Sequence, residues 1–293
     1  MAEQAGFPPG VPCWVDTTQP DPEAALDFYR GVFGWVFEDR MPPEAPGRYF
    51  VARLGGRDVA AVSSQPEGGS PAPVWNTYIC VDDADATVAL VRDAGGRVIT
   101  EPFDVLDAGR MAACTDASGA VFHLWQPETH RGAQAVNEPG SWNWSDLNTP
   151  DIEGAKAFYE SVFGWQADTL DLGFGKSTMV RLPGYAEYLE RFDSQLRQRH
   201  AEQGAPPGFS DCIAWMQPMS SDRYAADVPP HWSVTFAVAD TDAVAATAAE
   251  LGGTVVTPPF DAGPVRIAVL SDPQGAVFSV NTYQPGQPAT GAG

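Results

Sequence analysis

The chain has 293 residues, 44% of them hydrophobic, which is enough to bury the cores of two domains of ordinary size. Its 17 basic and 38 acidic side chains give a formal charge of −21, which repels phosphate backbones and anionic lipid, so neither nucleic acid nor a membrane surface is an expected partner. No segment approaches the roughly 18 continuous apolar residues of a spanning helix, and the start MAEQAGFPPG lacks the charged-then-apolar pattern of a leader, so a cytoplasmic location is expected.

After a Pro/Gly-rich opening, residues 11–17 alternate as a strand does, with Trp14 and Asp16 on one face and Cys13 and Val15 on the other. Asp21-Pro22-Glu23 marks a helix start, an Asp cap with Pro in the first turn, where a missing N–H costs nothing. Leu26, Phe28, Tyr29, Val32 and Phe33 follow at helical spacing until Gly34, and Phe28, Val32 and Phe33 read as core. Three strands are expected next, at 35–39, 48–54 and 58–64, the last two turning at Gly55-Gly56. Residues 65–73 form a Pro/Gly/Ser linker. The pattern then restarts with a strand at 74–81, a helix over about 84–94 stopped by Gly95-Gly96, and strands near Val98, Met111 and Val121.

A polar linker over 127–140 holds His130, which reads as solvent-exposed, and beyond it the chain repeats itself. WVDTTQPDPEAALDFYRGVFGW from Trp14 to Trp35 returns as WSDLNTPDIEGAKAFYESVFGW from Trp144 to Trp165, with 12 of 22 positions identical at an offset of 130. Chance would give about one or two matches, so the chain is a duplication. The expected organisation is a first domain at 1–130, a linker at 131–140, a second domain at 141–285, and a disordered Pro/Gly/Ala-rich tail at 286–293. Each copy reads as two β-α-β-β-β modules, an α+β class. The second copy departs at Arg181-Leu182-Pro183-Gly184, which answers Arg53-Leu54-Gly55-Gly56. Matching Gln217-Pro218 to Gln65-Pro66 raises the offset from 128 to 152 and leaves 24 extra residues in this hairpin. Tyr185, Leu189, Phe192 and Leu196 there have helical spacing, which predicts an inserted helix over about 185–210, either a lid or a surface helix. The four cysteines, Cys13, Cys80, Cys114 and Cys212, show no close pair and read as buried free thiols.

The blocks FYRGVFGW and FYESVFGW, VDDAD and VADTD opening the second modules, and DASGAVFHLWQP and DPQGAVFSVNTYQP closing them resemble the vicinal oxygen chelate superfamily of glyoxalase I, extradiol dioxygenases and bleomycin-resistance proteins. The resemblance covers nearly the whole chain outside the tail and the inserted helix, and its motifs are specific for the fold rather than for a reaction. It implies tandem domains whose paired modules curl a bent mixed sheet around a pocket. Metal ligands would stand on a domain's first strand, on the first strand of its second module and on its last strand. A divalent ion needs about three His, Glu, Gln or Asp side chains converging at roughly 2 Å. Carried onto this chain, the resemblance puts Trp14 and Trp144 at the first position, Asn76 and Ser233 at the second, and His123 and Ser279 at the third. A fourth falls in the apolar run at 60–62. His123 alone is a competent ligand. Pairing modules across the copies, Trp14 with Ser233 and Ser279 or Trp144 with Asn76 and His123, does not collect three either. No cofactor is therefore expected, an offset metal using Asp16 and His123 being the alternative.

The implied cavity floor of the first copy is Trp14, Asp16, Asn76, Tyr78, His123 and Trp125. That of the second is Trp144, Asp146, Ser233, Thr235, Ser279 and Asn281, with Trp215 nearby. Large planar side chains with a few polar groups suit a site that stacks a flat ligand and fixes it with hydrogen bonds. Asp16 and His123 are the candidate catalytic pair, since a carboxylate beside an imidazole raises its basicity towards that of a general base. The bland alternative is structural, and recurrence of the Trp-x-Asp pair in both copies favours it. His200 and His231 read as surface or capping residues, and Arg110 and Arg266, at matching positions, as ion-pair partners. Three functions stand: a metal-free protein binding an aromatic or natural-product small molecule, a metal-independent lyase, isomerase or cyclase using His123 as acid/base, or a metal-dependent glyoxalase or dioxygenase-like enzyme. Tandem copies supply in one chain the pairing that single-copy relatives reach by dimerising, so a monomer is expected, with a homodimer open.

Overall fold

A computed structural model describes residues 6–65, 72–171, 175–221, 224–225 and 227–284. The tail at 286–293 lies outside them, as does most of the linker at 65–73. Strand β1 (Pro12–Gln19) leads into helix α1 (Pro22–Phe33). The Asp21 carboxylate accepts the Ala24 N–H at 3.0 Å to start this helix, and Gly34, at φ 72°, ends it in the left-handed conformation that a side chain would disfavour. Strands β2 (Val36–Asp39), β3 (Tyr49–Leu54) and β4 (Arg57–Ser64) complete the module. The second module is β5 (Val74–Cys80), α2 (Ala84–Asp93), β6 (Arg97–Val105), β7 (Gly109–Thr115) and β8 (Val121–Pro127).

The second copy repeats the order with β9 (Trp142–Thr149), α3 (Ile152–Phe163), β10 (Gln166–Asp171) and β11 (Lys176–Arg181). The single inserted helix of the sequence reading is two short ones, α4 (Tyr185–Leu189) and α5 (Leu196–Glu202), followed by a 3-10 turn at Phe209–Asp211. Asp193 divides them: its carboxylate accepts the Gln195 N–H at 3.1 Å and pairs with Arg199, holding a turn that competes with a continuous helix. The chain closes with β12 (Cys212–Pro218), β13 (His231–Ala237), α6 (Thr241–Glu250), β14 (Thr254–Ala262), β15 (Val265–Ser271) and β16 (Val277–Tyr283). Among the described residues no helix is long and apolar enough to cross a membrane.

The strands form two eight-stranded mixed sheets of matching order, β2-β3-β4-β1-β5-β8-β7-β6 and β10-β11-β12-β9-β13-β16-β15-β14. The parallel pairs β1/β4 and β9/β12 correct the sequence match in the inserted hairpin. Asp16 stands opposite Ala61 and Asp146 opposite Trp215, so the offset there is 154, and the insertion is two residues longer than the Gln-Pro match gives.

Two compact units emerge, and each draws on both copies. One comprises Met1–Cys13, Thr77–Gly132 and Ser145–Trp232, and the other Trp14–Asn76, Ala133–Trp144 and Ser233–Gly293. In the first, the Tyr159 hydroxyl donates to Asp116 at 3.2 Å and accepts the Trp232 indole N–H at 3.0 Å, while its ring stacks on Trp165 at 4.8 Å. In the second, the Tyr29 hydroxyl donates to Asp272 at 2.9 Å and accepts the Trp75 indole N–H at 3.2 Å. The twice-repeated Phe-Tyr and Phe-Gly-Trp motifs are thus core residues whose polar atoms are satisfied inside, which accounts for their duplication without any role in chemistry.

Candidate functional site

In the second unit the two polar residues foreseen on the first copy's inner face are joined by one that sequence reasoning missed. Trp14 is only 3% exposed, and its indole N–H donates to the Tyr49 hydroxyl at 2.9 Å. That hydroxyl donates to Asp16 Oδ2 at 3.1 Å, while Asn76 Nδ2 donates to Oδ1 at 2.8 Å. Both carboxylate oxygens of buried Asp16 therefore accept from side chains. Burial, reinforced by the Asp16 charge, holds the Tyr49 hydroxyl well above its ordinary pKa and keeps it a donor. Tyr49 escaped notice because the recurring motifs do not include β3 and its counterpart in the second copy is Ser177. Trp144, Ser233 and Ser279 are half-buried in this same unit, and Asn281 accepts from Asn143 at 2.8 Å.

The other unit holds Tyr78, His123, Trp125, Asp146 and Trp215. The His123 ring stacks on Tyr78, with centroids 4.7 Å apart and planes 25° from parallel, and Trp125 meets Tyr78 edge-on at 6.3 Å. Burial lowers the His123 pKa to about 4, and among the described residues its buried Nδ1 meets no hydrogen-bond partner. The imidazole is thus neutral at physiological pH and a weaker base than usual, opposite in direction to the raised basicity expected of a carboxylate-paired histidine. His130, read from sequence as exposed, is half-buried: its carbonyl accepts the Trp125 indole N–H at 2.9 Å, and its ring packs edge-on to Trp125 at 5.8 Å.

Asp146 behaves differently from its repeat-mate. It is half-buried, and desolvation raises its pKa to about 7 against a smaller opposing effect of the Trp215 backbone N–H that it accepts. The remaining charged candidates have structural partners. Arg110 is bracketed by Asp85 and Asp104, and Arg266 by Asp242 and Asp261. His200 Nδ1 lies 3.0 Å from Ser210 Oγ, and His231 Nδ1 lies 2.9 Å from the Pro229 carbonyl. All four cysteines are buried and free.

Residues 14–124 match the Glyoxalase/Bleomycin resistance protein/Dioxygenase superfamily, and residues 132–281 match the Glyoxalase-like domain. The chain belongs to this superfamily. Among its relatives, CFP32 of Mycobacterium bovis, named provisionally as a glyoxylase, is 40% identical over 98% of this chain and 100% of its own length. The anthracycline biosynthesis protein DnrV of Streptomyces peucetius is 37% identical over 98% of each chain. The superfamily fold also appears in the Mn(II)-bound glyoxalase of Novosphingobium aromaticivorans, with a TM-score of 0.58 at 15% identity over 97% of this chain and 85% of that one. The 2,3-dioxygenase LapB of Pseudomonas sp. KL28 gives a TM-score of 0.57 at 13% identity over 97% and 95%.

A divalent ion of the kind this superfamily employs does not fit the donors in hand. Among the described residues no three His, Cys, Asp or Glu side chains converge, Trp14 offers no lone pair, and both Asp16 oxygens are engaged by Tyr49 and Asn76.

Proposed function

We propose that this superfamily member binds a small, flat aromatic molecule of natural-product type and does so without a metal ion. The observation that carries the reading is Trp14, an indole at a position where the resemblance implies a ligand atom, turned inward and tied by its N–H to Tyr49. Beside it the Asp16, Tyr49 and Asn76 side chains form a pre-ordered polar set, the kind of edge that orients a ring system bearing oxygen substituents. The other unit by itself groups the Tyr78, His123 and Trp125 rings, with a neutral imidazole among them. The 37% identity to a protein named for anthracycline biosynthesis supports a ligand with fused aromatic rings. A proton-transfer role for His123 with Asp16 is the lesser reading, because the imidazole is too weakly basic and the carboxylate is already engaged.

The test is a tryptophan-fluorescence titration with an anthracycline aglycone, run beside metal analysis of the purified protein. Saturable quenching that weakens in Trp14→Phe, with no stoichiometric Ni, Zn, Fe or Mn, is the expected result. A stoichiometric metal, or quenching unchanged in that variant, overturns the reading.

A further inference from the structure

The two Trp-x-Asp segments now have different surroundings. Asp16 is engaged by Tyr49 and Asn76, whereas the matching positions of the second copy carry Ser177 and Ser233, and Ser177 Oγ accepts instead from Gln217 Nε2 at 2.8 Å. Opposite Asp16, β4 places the small side chain of Ala61. Opposite Asp146, β12 places Trp215. Paired residues of parallel strands project from the same face, so the Asp146 carboxyl and the Trp215 indole are neighbours. The insertion, which the first copy lacks, then adds Phe209, whose ring lies 6.5 Å from Trp215, backed by His200 at 5.1 Å from Phe209. A carboxyl beside the Trp215 indole, with the Phe209 ring near that indole, has thus been assembled in the second copy from β9, β12 and the inserted segment, all within one compact unit.

We propose that Asp146, Trp215 and Phe209 form a second ligand site, which takes a planar aromatic ketone or quinone whose carbonyl oxygen accepts a hydrogen bond from Asp146 in its acid form while the rings lie against Trp215. The proposal rests on the reading of the protein as a binder of aromatic molecules and deepens it. Burial supports the acid form, since the Asp146 pKa of about 7 leaves much of it protonated near neutrality. Among the described residues, no charged side chain counts among the causes of the Asp146 shift, in which burial raises the pKa and the Trp215 backbone N–H opposes it. Cys212 on β12 is pushed well above its ordinary range by burial and stays a thiol. On β11 Arg181 is ion-paired with Asp168, and Lys176 is exposed. The pKa of His200 in the insertion is lowered by burial, Asp211 accepts the Ala186 N–H at 2.8 Å, and His231 Nδ1 on β13 lies against the Pro229 carbonyl.

The probe is xanthone, a flat tricyclic ketone with no titrating group, followed by tryptophan quenching from about pH 5.5 to about pH 8.5. Wild-type affinity is expected to fall roughly tenfold or more across that range as the donor proton is lost. Asp146→Asn keeps a donor and should bind with little pH dependence, whereas Asp146→Ala should bind weakly throughout, and Trp215→Leu should weaken binding at every pH. Carboxyl-carbon NMR of wild type and Asp146→Asn supplies a measurement free of ligand, with a midpoint near neutrality expected only in wild type. Binding indifferent to pH and to the Asp146 and Trp215 substitutions overturns this proposal alone, as does a carboxyl midpoint in the ordinary aspartate range. No xanthone binding at any pH overturns it together with the reading it rests on.

Discussion

Asp16, Asp146 and His123 show how one side chain acquires different chemistry from its neighbours. Asp16 with two donors is a fixed acceptor, and Tyr49→Phe should leave Trp14 without its acceptor and Asp16 short of one donor. A cost of about 1 to 3 kcal/mol is expected in urea unfolding, the range for an orphaned buried polar group. Asp146 and His123 pull stability in opposite directions with pH. The folded-state pKa of Asp146 is raised from 3.8 to about 7, so the native state holds the proton longer, and stability declines as pH rises between those values. The folded-state pKa of His123 is lowered from 6.5 to about 4, so its contribution is present above the unfolded value and is lost as pH falls through that window. Asp146→Asn should therefore raise Tm by a few degrees at about pH 8.5 and leave it nearly unchanged at about pH 4, checked by thermal melts at both. Imidazole NMR should show His123 still neutral at about pH 5.5. The strand positions of Trp14, Asp16, Asn76 and His123 were legible in the sequence because alternation and motif spacing fix them. Tyr49 was not, because its role depends on reaching across β4 to a residue 33 positions away in the chain, and no local pattern encodes that reach.

Capping and turn chemistry at the level of elements was readable almost to the residue, since Asp21, Gly34 and Gly55-Gly56 carry their own backbone geometry. The glycine pair that stops α2 concealed a second role. Gly95 takes the positive φ of 89°, but Gly96 has no such need. A Cβ there would lie 2.4 Å from the Thr115 carbonyl oxygen and 2.8 Å from the Phe158 ring. Its counterpart Gly253 would meet the Ser271 carbonyl oxygen at 2.6 Å and the Phe28 ring at 2.9 Å. Each glycine thus lets a helix end sit close against a strand and against an aromatic ring of the other copy. Gly96→Ala and Gly253→Ala should each cost about 1 to 3 kcal/mol in urea unfolding, the usual range for overpacking. A loss below a few tenths for both would mean that the neighbours can yield. The insertion was the least legible element, because helical spacing of Tyr185, Leu189, Phe192 and Leu196 says nothing about the turn that Asp193 imposes between them.

The duplication announced two domains at the scale of the whole chain, but which module packs with which could not be read from it, since the copies offer nearly the same residues to one another. Tyr29 of the first copy has a suitable carboxylate in both Asp116 and Asp272, and the structure joins it to Asp272 at 2.9 Å. Tyr159 of the second copy is joined to Asp116 at 3.2 Å. The apolar packing follows the same crossing: Phe33 lies 4.9 Å from Phe236, Phe28 lies 6.3 Å from Phe278, and Phe122 lies 5.8 Å from Tyr159. A polypeptide ending at residue 130 would therefore keep its sheet but leave the faces of α1 and α2 without their partners, an exposed apolar area that favours association. Residues 1–130 and 131–293 produced separately should each aggregate or pair with a second copy of themselves, because the repeated surfaces are near-equivalents. Mixed after co-expression, they should form a one-to-one complex with the near-ultraviolet circular dichroism of the intact chain. Light scattering on a sizing column reads the masses directly, and a stable monomer from either half with native aromatic signals would show that the crossed core is dispensable.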